Sequence, residues 1–501
     1  MADGSPPTSL APVTVGGSNG APPVHAAASP WPARIAAVAI GLFLLLLFVN
    51  GRPLGNVHTG DSDFLVQGAQ VALDCLDDGV FSRCALVNEN YSAVSPYPLL
   101  QFLPAAAFLG LGLDNEAAVT GLAVLNGLAL LASLACVLVV SRRVLAGWAP
   151  ALLIVILSSP LLFYSTAGFG EMLATFLALL GVSLVLLRRP VGAAVVLGLA
   201  CLGKDTMAPF LLMLALLCGR DEGDGWLPPR SMLVAIGSGI GAGVVLTTAF
   251  NLFRYGQLFN LFYLQSAFRV PGPARQVNHF GALWAAPNGG MLWFWTSATA
   301  FLVVALVVLV RRLRAAPDRV RDWLPLAVAL AVAVGFQLLL AQWAHPFGWI
   351  SWGPRLTLPI VPAVCVTLAY VGGEAFRATA ARVLRPRWGA AVVILVLAVA
   401  SLPQSGVVWN YTRATASLLA GDSTCAPLQL LPNPPSKRYF RCQSHLMWRR
   451  TPSFLVAPLR SSGAVQRWAQ ASLVIGLASL VLLWRRGSTS TRRPPALRAP
   501  P

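Results

Sequence analysis

Charge is what this chain has least of. Only 11% of its 501 residues are Asp, Glu, Lys or Arg, against 56% hydrophobic, and mean hydropathy is +0.69. A soluble domain carries about 25% charged residues, so a soluble fold is excluded. Acids are the scarcer sign, 18 against 36 basic residues, and all but two of the basic residues are Arg. The resulting net charge of +18 does not mark a nucleic-acid protein. A polyanion surface needs a continuous basic stripe interleaved with aromatics, and none is present. Also missing are a Gly-rich nucleotide loop, the ligand spacing of a structural metal site, and the two matching halves common in transporters. The first 31 residues lack the charged start and short apolar core of a secretory signal.

What the chain does have is apolar blocks of membrane-crossing length. A helix needs about 20 mainly apolar residues to cross, because lipid offers a bare backbone N–H or C=O no partner. Twelve blocks are expected as spans: 36–49, 117–140, 148–167, 171–187, 191–203, 206–219, 232–252, 291–310, 324–342, 356–372, 388–402 and 468–484. The class is therefore an all-α polytopic membrane protein. Arginine clusters, among them Arg142-Arg143, Arg188-Arg189, Arg311-Arg312 and Arg485-Arg486, fall between blocks as the positive-inside bias requires. They orient the protein and can hold anionic membrane lipids.

That orientation sets the expected organisation. Residues 1–31 read as a disordered cytoplasmic tail rich in Pro, Ala, Ser and Gly. Residues 32–402 form the transmembrane module, with a large external loop at 51–116, in which 98–113 is a helix on or dipping into the outer leaflet. Residues 403–466 are a second external loop, and 467–501 the last span with a basic cytoplasmic tail. Of eight cysteines, Cys136, Cys201, Cys218 and Cys365 fall inside apolar blocks. The others form two near pairs, Cys75/Cys84 and Cys425/Cys442, one in each external loop, which suggests one disulfide per loop on an oxidising side.

Charged residues at span ends are functional candidates, since each costs a few kcal/mol unless paired or wetted. On the expected outer side these are Asp61 and Asp63, Glu171, Lys204 with Asp205, Arg254, Arg269, His345 and Arg355. Bland readings stand beside them. The two Asp residues suit a solvated loop, Lys204 and Asp205 can pair with each other, and Arg254 can snorkel to headgroups. Arg355 follows Gly353-Pro354 in a Trp-rich stretch that includes Trp352. A guanidinium held at a set angle beside interfacial aromatics suits phosphate.

Four stretches carry a resemblance. Thr59-Gly60-Asp61-Ser62-Asp63 looks like the T-G-D-E opening of many bacterial GT-C membrane glycosyltransferases, with Ser62 displacing the second acid. Asn251-Leu252-Phe253-Arg254-Tyr255-Gly256 is similar to their N-x-x-R-F-G segment. Residues 280–292 resemble G-L-x-G-L-L-x-S-P-x-x-G-L, with Ala286 for Ser. Residues 349–359 resemble W-x-x-G-P-R-Y-L-L-P. The likeness runs in order over about residues 35–370 and is to the protein-mannosyltransferase and aminoarabinose-transferase type.

The resemblance implies transfer of a sugar from a polyprenyl-phosphate carrier to a glycan, lipid or protein acceptor on the external face of the plasma (inner) membrane. The residues fit such chemistry. An acceptor hydroxyl needs a carboxylate to take its proton, which Asp61, with Asp63 second, would supply. An anionic leaving group needs cations, and Arg355, Lys204 and His345 are at hand. Arg254, Glu171 and Trp352 complete the substrate-binding candidates. One base and one displacement imply inversion. A divalent ion, Mg or Mn, on Asp61 and Asp63 with the donor phosphate stays open. The competing readings are a transporter or flippase of lipid-linked sugars, and an envelope glycan ligase.

Overall fold

The apolar blocks close their backbone hydrogen bonds internally, as lipid demands. The computed structural model describes residues 31–50, 60–84, 97–168, 170–220, 227–260, 272–287, 289–343, 347, 353–386, 388–401, 448 and 464–489. In chain order the helices are α1 (Trp31–Asn50), α2 (Gly60–Asp77), α3 (Leu99–Gly110), α4 (Asn115–Arg143), α5 (Ala149–Leu157), α6 (Leu161–Tyr164), α7 (Glu171–Leu186) and α8 (Pro190–Gly203). A 3-10 turn, Asp205–Met207, leads to α9 (Ala208–Gly219). Then come α10 (Arg230–Tyr255), α11 (Pro273–Ala285), α12 (Met291–Phe294), α13 (Thr296–Ala315), α14 (Val320–Ala341), α15 (Val361–Leu384), α16 (Trp388–Ser401) and α17 (Ala464–Thr489).

The expected all-α membrane architecture is present, while the described residues do not show twelve uninterrupted crossings. Among the described residues six helices are long and apolar enough to cross alone, and seven if α15 and α16, bent by 95°, count as one span. α7, α8 and α9 match expected spans but fall short of the length of the six. The block 148–167 is broken. Pro160 has no N–H to give, and the Ser158 and Ser159 hydroxyls turn back onto Ile154 O and Ile156 O. Trp295 Nε1 donates to Val155 O at 2.8 Å, which serves a carbonyl left over at the end of α5.

The first and last described helices meet, since α1 lies along α17. α8 is flanked by α7 and α10, while α13, α14 and α15 pack as a group. The α8–α10 approach depends on glycine. A Cβ on Gly239 would stand 2.2 Å from Ala194 O, the small-residue contact that lets membrane helices close up. α4 begins on an Asp114 cap, whose carboxylate accepts from Ala117 N at 2.8 Å, and ends on Arg142 and Arg143. Both ends suit the helix dipole.

Outside the main bundle, α2 and α3 pack on each other and on the first half of α4. Ser62, Leu65, Val66 and Ala69 lie on one buried face of α2, while Phe64, Gln67 and Gln70 are exposed, a helical period. Burying Leu65 and Val66, each 1% exposed, contributes about 1.5–3 kcal/mol apiece. Cys75 and Cys84 are bridged, with Cα atoms 5.9 Å apart, and tie the end of α2 to the segment after it. Cys425 and Cys442 lie outside the described residues.

Candidate active site

Glycine sets where α2 meets the bundle. A Cβ on Gly168 would stand 2.9 Å from the Ser62 Cβ, so this approach exists only because Gly168 has no side chain. Ser62, fully buried, sits between Asp61 and Asp63. Gly168 lies three residues before Glu171, which opens α7. The acid-bearing start of α2 is therefore seated on the loop that delivers Glu171. Because α2 begins at Gly60, Asp61 and Asp63 are about 200° apart around its axis. The backbone of this stretch is helical, not extended.

Glu171 is bonded to Arg355. Arg355 Nε donates to Glu171 Oε1 at 2.8 Å, with the two side chains 6% and 3% exposed. The turn that presents Arg355 is built locally. Gly353 takes a left-handed φ of 63°, and a Cβ there would also meet the Phe294 ring at 3.0 Å. Thr357 Oγ1 donates to Pro354 O at 2.7 Å and closes the 3-10 turn Arg355–Thr357. Two segments 184 residues apart thus share one buried ion pair.

Gln101 extends the cluster. Its side chain lies across Gly170, where a Cβ would stand 2.1 Å from Gln101 Cδ, and its Nε2 donates to Gly203 O at 3.1 Å. That joins the start of α7 to the turn after α8, where Lys204 is buried and Asp205 half-buried. Burial pushes the Asp205 carboxyl above its ordinary range, while Arg254, Lys204 and a hydrogen bond from Asn260 pull it back. A small, mainly apolar cavity lies beside Gln101, lined also by Asn126, Gly168, Leu65 and Leu173.

Arg254 behaves otherwise than a snorkelling anchor. It is fully buried. Nη1 donates to Tyr97 O and Nη2 to Asn251 Oδ1, both at 2.6 Å. The guanidinium lies over the Phe250 and Tyr255 rings at 4.3 and 4.8 Å. It fastens the end of α10 to the segment that opens α3, instead of reaching for headgroups. Gly256 ends α10 in a left-handed turn with φ 66°, against the Arg83 side chain.

Of the expected site residues, Asp63, Glu171, Lys204, Arg254 and Arg355 therefore occupy one end of the bundle. The backbone of Asp61 joins them in the first turn of α2. Arg269, His345 and Trp352 lie outside the described residues. Gln101 and Asn126, which donates to Ala167 O at 2.7 Å, were not anticipated. The signal was there, as each is an amide inside an apolar block. Among the described residues no group of three or more His, Cys, Asp or Glu side chains converges; the Asp61 side chain lies outside them.

Residues 95–340, just under half the chain, match the model of Glycosyltransferase family 87. That stretch holds Gln101, Glu171, Lys204 and Arg254. Among solved structures the chain is similar to the crystal structure of ArnT from Cupriavidus metallidurans in the apo state. Identity is 16% and the TM-score 0.43, over 91% of this chain and 77% of that one. It is also similar to the same protein bound to undecaprenyl phosphate, at 14% identity and a TM-score of 0.40, over 92% and 78%. No curated protein matches the sequence. Over residues 95–340 the chain is thus similar to a glycosyltransferase family, and its long apolar helices are those of a membrane protein.

Proposed function

We propose that this protein transfers a sugar from a polyprenyl-phosphate carrier to an acceptor hydroxyl at the external face of the membrane. The observation that carries the reading is the buried Glu171–Arg355 pair at 2.8 Å, seated beside the acid-bearing start of α2 within a glycosyltransferase-like bundle. In the reaction an Asp of α2, Asp61 first and Asp63 second, removes the acceptor proton. The acceptor oxygen then attacks the anomeric carbon from the side opposite the phosphate. The C–O bond to the phosphate breaks, its electrons stay on the carrier phosphate, and the configuration inverts. Arg355 and Lys204 offset the negative charge on that leaving group. No step is routed through a metal.

The test uses the purified protein in lipid nanodiscs with a polyprenyl-phosphate sugar and a panel of hydroxyl acceptors. The reading expects release of polyprenyl phosphate that depends on both the protein and an acceptor, with the new linkage of opposite anomeric configuration by NMR. Movement of the intact lipid-linked sugar between leaflets, with no release of phosphate, would instead establish a flippase. Retention of configuration would remove the single-displacement step.

A further inference from the structure

The Cys75–Cys84 bridge does more than close a loop, because the segment it closes is docked on another helix. α2 ends where Gly79 turns left-handed at φ 72°. Val80 N then returns to Cys75 O at 2.7 Å, a glycine stop that reverses the chain. The reversed segment runs to Arg83, which holds a left-handed φ of 58° although it is no glycine. A side chain keeps that conformation only where its surroundings fix it, and two anchors flank it here. On one side Cys84 is fully buried and bonded to Cys75. On the other the Arg83 side chain lies over Gly256, where a Cβ would stand 2.8 Å from Arg83 Cγ. Gly256 closes α10 and donates from its N to Leu252 O at 2.8 Å. Ser82 Oγ lies 3.5 Å from that same carbonyl.

The attachments form a closed ring. From α10, Arg254 bonds Tyr97 O ahead of α3, and Phe250 meets the Phe102 ring of α3 at 5.6 Å. α3 packs on α2, and the bridged segment ties α2 back to α10. With 18 residues, α2 is a stiff rod about 27 Å long. Its first turn is seated on Gly168 and its last is pinned to α10 through residues 80–84. A rod held at one end alone can tilt and roll, and a roll re-aims every side chain it carries.

We infer that the Cys75–Cys84 bridge is a positioning device for the proposed transfer. It holds residues 80–84 against the end of α10 and so fixes the tilt and roll of the helix that carries Asp61 and Asp63. This rests on the reading of an α2 carboxylate as the base. The bridge touches no substrate and acts through α2, so opening it lowers kcat and leaves the donor site, built on other elements, as it was. Reduction adds two electrons and two protons, leaves two thiols, and releases the segment.

The experiment uses the full protein in nanodiscs. Polyprenyl phosphate is the binding probe, and turnover of the lipid-linked sugar with an acceptor is expressed per carrier-binding site. The double variant Cys75→Ser, Cys84→Ser is expected to lose about 10-fold in kcat, part of what a misplacement of about 1 Å can cost, with donor KM and carrier Kd unchanged. Gly256→Ala reaches the same link from the α10 side, since its Cβ displaces Arg83, and should also lower kcat. Both changes break one chain of contacts, so the triple variant should fall no further than the lower of its two parents. Effects that multiply in the triple variant would mean two independent defects and would sink the proposal. Dithiothreitol should reproduce the fall in wild type and change nothing in the double variant, where an effect through any other bridge would survive. Should the double variant give no folded protein, wild type with both thiols confirmed by mass spectrometry carries the same expectation. Normal kcat with the bridge open would overturn the inference and leave the transfer reading intact. A raised donor KM at normal kcat would overturn it as well, since the bridge would then serve the donor. If intact wild type transferred no sugar, the transfer reading would fail and take this inference with it.

Discussion

The two ends of the bundle use the same residue type in opposite ways. At the end that holds Glu171, arginine is buried and bonded across the fold. Arg355 meets a carboxylate 184 residues away, and Arg254 meets a carbonyl 157 residues away. At the other end arginine closes off helices. Arg188 donates to Gly219 O and Arg220 O, where α9 stops. Arg312 donates to Val371 O and Gly372 O at 3.2 and 2.8 Å, carbonyls beside the kink at Gly373 in α15. Arg485 reaches Arg385 O at 3.0 Å, at the bend into α16. Leftover carbonyls at a helix C-terminus attract a cation whatever the protein does. An arginine sealed inside the fold has no such general reason to be there.

If the contrast holds, substitutions at the first end should change chemistry and those at the second should not. The largest effect is expected from Asp61→Asn, which keeps size and hydrogen bonding but cannot take a proton. Turnover should fall at least about 100-fold, the scale of a positioned base, while binding of the carrier survives. Arg485→Gln should leave turnover unchanged in the same assay. Near-normal transfer by Asp61→Asn would move the base to Asp63, the other acid in that turn of α2.

Next in size is Gly168→Ala, which reaches the site without altering a charged group. The added methyl would stand 2.9 Å from Ser62 Cβ, so the start of α2 must move by several tenths of an ångström. Catalysis is sensitive to such shifts, and a misplacement of about 1 Å can cost about 100-fold. A fall in kcat of about 10-fold is expected, with carrier binding retained. Unchanged kcat would mean that α2 does not carry the reacting carboxylate.

How much of this was legible in the sequence differs along the same axis. The helical membrane class followed from block length, and the Gly-Pro-Arg turn from its own residues, because both are local. The break at Ser158-Ser159-Pro160 was missed because hydropathy ignores a lost N–H inside an otherwise apolar run. From its place at the end of α10, Arg254 reads as a substrate-binding candidate or as a headgroup anchor. Only the approach of Tyr97, from another segment, shows what it bonds. That Glu171 and Arg355 form a pair could not be read at all, since nothing in either neighbourhood names a partner 184 residues away. Gln101 and Asn126 carry no formal charge to mark them, yet an amide in lipid must find partners too.

Stability offers a smaller version of the same comparison. Arg254→Met leaves Tyr97 O and Asn251 Oδ1 without their donor inside the fold, at about 1–3 kcal/mol for each buried group. Arg485→Met exposes its carbonyl partner at a more open corner, where such changes usually stay within about 0.5 kcal/mol. Thermal unfolding in one detergent should separate the two variants clearly. Equal midpoints would mean that burial does not distinguish the two ends energetically.

The smallest expected effect concerns His279 in α11, a helix too short to cross, whose side chain is buried and lies 3.2 Å from Trp343 O through Nδ1. Burial pushes its pKa below the ordinary 6.5, with nearby Arg275 adding to the depression and the bond to Trp343 opposing it. In the neutral form Nδ1–H donates to that carbonyl, which joins α11 to the end of α14. Between the lowered folded value and the unfolded one, the unfolded chain binds more protons, so stability rises with pH across that window. The contribution is whole above about 6.5 and is lost as pH falls through the folded value. Acidifying from about pH 7.5 to about pH 5.5 should thus lower the unfolding midpoint of the wild type more than that of His279→Gln, which cannot titrate. Equal pH sensitivity in the two proteins would show that the imidazole keeps its partner when charged, and that the α11–α14 contact is not the acid-sensitive joint of this site's surroundings.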